Sequence, residues 1–73
     1  MFYNLNKNCR YLRKKSKLTV SELAEKLEIS TQALTNFEGG NRNCSLEVLD
    51  KLHNIFEITI DDLVYKDLSK DDF

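Results

Sequence analysis

The 73-residue chain contains no proline and no tryptophan, only two glycines, two cysteines and one histidine. Without proline and with so few glycines, a fold built on hairpins has little turn chemistry to use, and helices joined by tight turns fit better. Cys9 and Cys44 are too few for a disulfide framework and lack metal-ligand spacing, so both read as reduced thiols, with Cys9 a small core residue. No catalytic constellation can be assembled from one histidine, two cysteines and no glycine-rich phosphate loop, so the expectation is not an enzyme, with no cofactor and no metal. No apolar run approaches membrane-spanning length and the N-terminus lacks the apolar core of a signal peptide, which leads to the expectation of a cytoplasmic protein.

What is present is amphipathic and unevenly charged. Residues 1–42 carry eight cationic side chains against four acidic ones, whereas residues 43–73 carry three against eight. The net charge of −1 therefore hides a basic front and an acidic back. Phosphate affinity depends on such a local face and not on total charge.

Helical periodicity gives five segments. Leu5, Cys9 and Leu12 share one face of a helix ending near Lys15, with Asn4 as its cap. Thr19-Val20-Ser21-Glu22 reads as a capping box opening a second helix that buries Leu23, Ala24 and Leu27. Ser30 caps a third helix carrying Ala33, Leu34 and Phe37, and Gly39-Gly40 ends it. Ser45 caps a fourth, with Leu46, Leu49, Leu52 and Phe56 on a broad apolar face, and Thr59 opens a short fifth. Leu27-Glu28-Ile29-Ser30 and Phe56-Glu57-Ile58-Thr59 echo one another as two similar turns. Residues 1–65 form the expected domain, and residues 66–73 read as an acidic, frayed tail.

The order and spacing of Leu12-Arg13, Leu18-Thr19, Glu22-Leu23-Ala24-Glu25-Lys26-Leu27, Ile29-Ser30, Leu34, Glu38-Gly39-Gly40, Arg42 and Ser45-Leu46 resemble the lambda-repressor-like, or Xre-type, helix-turn-helix family. The likeness spans about Leu5 to Val64. It implies an all-α bundle of five short helices and a sequence-specific double-stranded DNA-binding regulator, a repressor acting as a homodimer on an inverted-repeat operator. Thr31, Gln32 and Asn36 would face base edges, with Thr35 near a base or the backbone. Gln and Asn amides suit adenine, so the expected preference leans towards A·T steps.

The resemblance places Thr19, Asn41, Arg42 and Asn43 near phosphates, and Arg13 with Glu38 as an internal ion pair. Lys17, like Lys14 and Lys15, reads either as a phosphate contact or as part of a solvated helix end. The self-association surface is expected around Phe56, Ile58, Ile60, Leu63, Val64 and Tyr65. Tyr3, Tyr11 and Tyr65 read as edge-of-core or subunit contacts, and His53 as structural.

Five positions depart from the family pattern, among them His53 and Ile55, where small residues are usual, so the packing of the fourth helix is expected to differ locally. Val20 stands where many relatives carry a phosphate-clamping glutamine, and Glu28 and Glu57 stand where glycine is common. The alternative is a protein-interaction module or antitoxin that uses the same fold with weak or secondary DNA binding and a protein partner.

Overall fold

In the computed structural model, which describes residues 4–40 and 45–71, the chain order is α1 (Leu5–Lys15), α2 (Val20–Leu27), α3 (Thr31–Glu38), α4 (Leu46–Phe56), α5 (Ile60–Tyr65) and a four-residue α6 (Leu68–Asp71). No strand occurs among the described residues. The five helices read from the periodicity are present, and the sixth is an addition.

Local chemistry sets the helix starts. Thr19, Ser30, Ser45 and Thr59 all adopt extended backbone, and each hydroxyl accepts from the amide three residues on. That satisfies one of the otherwise orphaned N–H groups at each helix start. At α2 the box is complete, because Glu22 also accepts from the Thr19 amide at 2.8 Å. These hydrogen bonds to Thr19, backbone first and side chain second, hold the Glu22 carboxyl below the ordinary glutamate range. A depressed carboxylate stabilises the fold above its unfolded value and loses that effect as pH falls through its folded value. An NMR titration should therefore show Glu22 ionising below the usual range, and Thr19→Val should move it only part of the way back, because the backbone donor remains.

The helix ends share one device. Lys17, Glu28 and Glu57 have φ of 60°, 59° and 53°, the left-handed region. After each stands an apolar residue, Leu18, Ile29 or Ile58, whose amide returns to the carbonyl five residues back, at Arg13, Ala24 and His53. This is the Schellman pattern, and all three apolar residues pack on the core. The resemblance points to Glu28 and Glu57; Lys17-Leu18-Thr19 is a third copy of the same left-handed, apolar, cap sequence. At Gly39-Gly40 it is Gly40, at φ +84°, that turns left-handed, while Gly39 stays helical. An L-residue in this region costs about 1 kcal/mol. Glu57→Gly is therefore expected to stabilise the domain by up to about 1 kcal/mol, read as a raised thermal midpoint; the greater freedom of glycine in the unfolded chain works against the gain.

One core joins every long helix. Leu5, Cys9, Leu23, Ala24, Leu27, Leu34, Phe37, Val48, Leu49, Leu52, Leu63 and Val64 form a single buried cluster. The molecule is 20 Å across its shortest dimension, about two helix diameters, so each helix needs only one apolar stripe.

Three expectations are corrected. Asn4 makes no side-chain cap on α1; its amide group instead donates to the Tyr65 carbonyl at 3.0 Å. Leu63 and Val64 are core residues, 0% and 7% exposed, because α5 lays that side onto α1 and α4. They are therefore unavailable as a subunit contact. The segment from Lys66 to Asp71 is not a frayed tail, since Leu68 is fully buried and α6 packs on α1.

The docking of α6 rests on Asn8, a buried polar residue that periodicity alone does not single out. Its Nδ2 donates to the carbonyls of Leu63 at 2.7 Å and Lys66 at 2.6 Å. Its Oδ1 accepts from the Leu68 amide at 3.1 Å. Beside Asn8 on the surface, Lys7 Nζ lies 2.8 Å from Asp67.

Candidate functional site

Helices α2 and α3 are joined by Glu28-Ile29-Ser30 and pack against each other. Leu34 and Phe37 are the buried side of α3, at 0% and 3% exposure. Helical spacing then sends the remaining positions outward: Thr31, Gln32 and Thr35 are exposed and Asn36 is half-buried. The four residues expected to read bases thus share the open side of one helix. The two amides are linked, Gln32 Nε2 donating to Asn36 Oδ1 at 3.3 Å in an i,i+4 bond.

Two contacts from α1 hold the C-terminal end of α3. Asn6 Nδ2 donates to the Phe37 carbonyl. Arg13 makes a two-pronged pair with Glu38, Nε to Oε2 at 2.9 Å and Nη2 to Oε1 at 3.2 Å. Its Nη1 also donates to the Leu18 carbonyl at 3.0 Å, so the same guanidinium secures the turn before α2. The two side chains are only 12% and 7% exposed. The expected internal ion pair is therefore present.

The expected phosphate contacts divide into seen and unseen. Thr19 is exposed at the start of α2, although its hydroxyl is engaged by the cap. Lys17 is exposed in the left-handed turn just before it. Asn41, Arg42 and Asn43 lie outside the described residues, as do Tyr3 and Cys44. Of the neighbouring lysines, Lys15 is stacked 5.7 Å over the Tyr11 ring, while Lys14 is exposed.

Val20 is half-buried and packs on the core, so this position contributes no hydrogen-bond donor from its side chain. His53 is structural, its Nδ1–H donating to the Ile58 carbonyl at 2.6 Å. On the far side, Phe56 and Ile58 are partly buried against the core, leaving Ile60 at 39% and Tyr65 at 63% exposure. Leu46, expected on the apolar face of α4, is instead 83% exposed at the start of that helix, the most exposed large apolar residue among the described ones. No group of three His, Cys, Asp or Glu converges among the described residues to hold a metal. No helix among them is long and apolar enough to cross a membrane.

Comparisons with known proteins find relatives of this helical arrangement in sequence and in fold. The chain is 36% identical over 64 residues to the HTH-type transcriptional regulator ImmR of Bacillus subtilis (strain 168). That match takes in 88% of this chain but only 50% of the relative, so the chain spans about half its length. A transcriptional regulator from Listeria innocua superposes with a TM-score of 0.82 at 26% identity, over 88% of this chain and 60% of that one. The clp gene regulator ClgR from Corynebacterium glutamicum shares the fold, with a TM-score of 0.77 at 24% identity, over 90% and 70% of the two chains. Residues 10–63, from the middle of α1 into α5, match the helix-turn-helix family, and the chain belongs to that family.

Proposed function

We propose that the chain is a sequence-specific double-stranded DNA-binding domain of a cytoplasmic transcriptional repressor, placing α3 in the major groove as a homodimer. The observation that carries this reading is the outward side of α3. Thr31, Gln32, Thr35 and Asn36 stand together there, and no charged side chain stands among them. Amides suit base edges because each offers a donor and an acceptor side by side, and Gln or Asn can bond adenine N6 and N7 together. Threonine methyls suit the thymine methyl. An A·T-leaning site follows.

An eight-residue helix covers few base pairs, and two-fold dimers read spaced half-sites, so an inverted repeat is the expected target. Ile60 and Tyr65, the exposed large apolar residues of α5, are proposed for the subunit contact together with the partly buried Phe56 and Ile58.

The test is selection from a pool of random duplexes at two salt concentrations, comparing the wild type with a Gln32→Ala, Asn36→Ala double variant. The wild type should enrich a spaced inverted repeat, with affinity falling steeply as salt rises. The double variant should stay folded and bind the selected site at least about 30-fold more weakly, from about 2 kcal/mol of lost base contacts. Enrichment of nothing by the wild type, even at low salt, would overturn the proposal. Salt-independent association with a protein would then identify an interaction module.

A further inference from the structure

A shallow cleft opens where α1, the start of α2 and the end of α3 meet, lined by Arg10, Arg13, Val20, Thr35, Glu38 and Gly39. We infer that this cleft is a phosphate-binding site whose ligand is the DNA backbone and whose charge is supplied by Arg10. The inference rests on the proposed DNA-binding function and adds to it a residue that the resemblance does not assign.

The charges in the cleft decide the matter. Arg13 and Glu38 cancel each other, and three of the five Arg13 donors are already engaged, two with Glu38 and one with the Leu18 carbonyl. Val20 contributes an apolar wall. Arg10 stands one turn before Arg13 on the same side of α1, is exposed, and has no hydrogen bond or ion pair to any described residue. It is therefore the unspent charge of the cleft, leaving a net positive site.

One turn earlier on the same helix, Lys7 is paired with Asp67 and offers no such surplus. The cleft runs on past Asn6 and Gly40 into a second depression that Arg10 also lines, so its side chain sits between two open spaces with room to swing. Thr35 gives the cleft its place. It belongs both to this lining and to the outward side of α3, so an anion held by Arg10 would lie beside the base-reading surface. The planar fork of arginine binds two phosphate oxygens at once, whereas a lysine at this point would act as a point charge.

The experiment measures binding of the whole chain to the duplex enriched by the wild type, across 50–200 mM salt, for Arg10→Ala, Arg10→Lys and Lys26→Ala. Lys26 stands at the other end of α2, so its removal subtracts the same charge outside the cleft. Arg10→Ala should lower the salt slope by about one, so that its loss of affinity across that range is about threefold smaller than the wild type's. Its order of base preferences should not change, its thermal midpoint should be unaltered, and Arg10→Lys should recover part of the slope. A wild-type slope in Arg10→Ala, or an equal drop in Lys26→Ala, would overturn the assignment while leaving DNA binding standing. A wild type that binds no duplex would instead remove the function on which the inference rests.

Discussion

Arg13→Ala is expected to cost about 3 kcal/mol of stability and to lower the thermal midpoint by roughly 12–20 °C. The cost arises from what remains. Glu38, 7% exposed, loses both donors that offset its desolvation and is left a nearly buried charge without its paired guanidinium. The Leu18 carbonyl loses its side-chain donor in the same step. A domain of this size has only about 4–11 kcal/mol in hand, so the variant should sit close to its unfolding threshold at growth temperature.

The partner change distinguishes a pair from two independent residues. Arg13→Met with Glu38→Leu should be more stable than Arg13→Ala alone, since both charges leave together and the space is refilled. Calorimetry on the three proteins decides it. If Arg13→Ala loses less than about 1 kcal/mol, the pair is effectively solvated and the core alone holds α3.

Asn8→Leu is the second large effect, an expected loss of about 2–3 kcal/mol despite the similar volume. Three backbone groups lose their partner: the carbonyls of Leu63 and Lys66 and the amide of Leu68. Leaving such a group buried and unpaired costs about 1–3 kcal/mol, and the cheapest escape is for the end of the chain to lift into water. The variant should therefore combine a modest global loss with a local opening of α6. Amide exchange at Leu68 should accelerate well beyond that at Leu34 or Leu52, which lie in the core of the other helices. Uniform acceleration would mean that α6 and the core unfold as one unit, and that Asn8 does not anchor the end separately.

Both effects depend on contacts of different sequence reach, and reach explains what could be read in advance. The caps at Thr19, Ser30, Ser45 and Thr59 act over three residues, so their signal is local and the helix starts follow from it. The exposure of Thr31, Gln32 and Thr35 follows in the same way from the apolar spacing of Leu34 and Phe37. The Arg13–Glu38 pair spans 25 residues and became visible only through the resemblance to a family.

Asn8 meets its partners 55, 58 and 60 residues away and has no local signature. A single asparagine on the apolar side of α1 looks like a polar interruption until α6 is in place. The acidic composition of residues 66–73 concealed Leu68, the buried residue that docks α6. The composition of α5 likewise could not say which of its apolar residues face inward. Packing assigns Leu63 and Val64 to the core and leaves Ile60 and Tyr65 outside.

The two anchors from α1 on the last turn of α3, Asn6 on the Phe37 carbonyl and Arg13 on Glu38, have a calorimetric consequence. The fold itself holds α3 in register, so if α3 enters DNA as proposed its ordering entropy belongs to folding and not to association. Titration calorimetry with a duplex should then show a heat-capacity change set by the contact area alone, without the larger negative contribution that accompanies coupled folding.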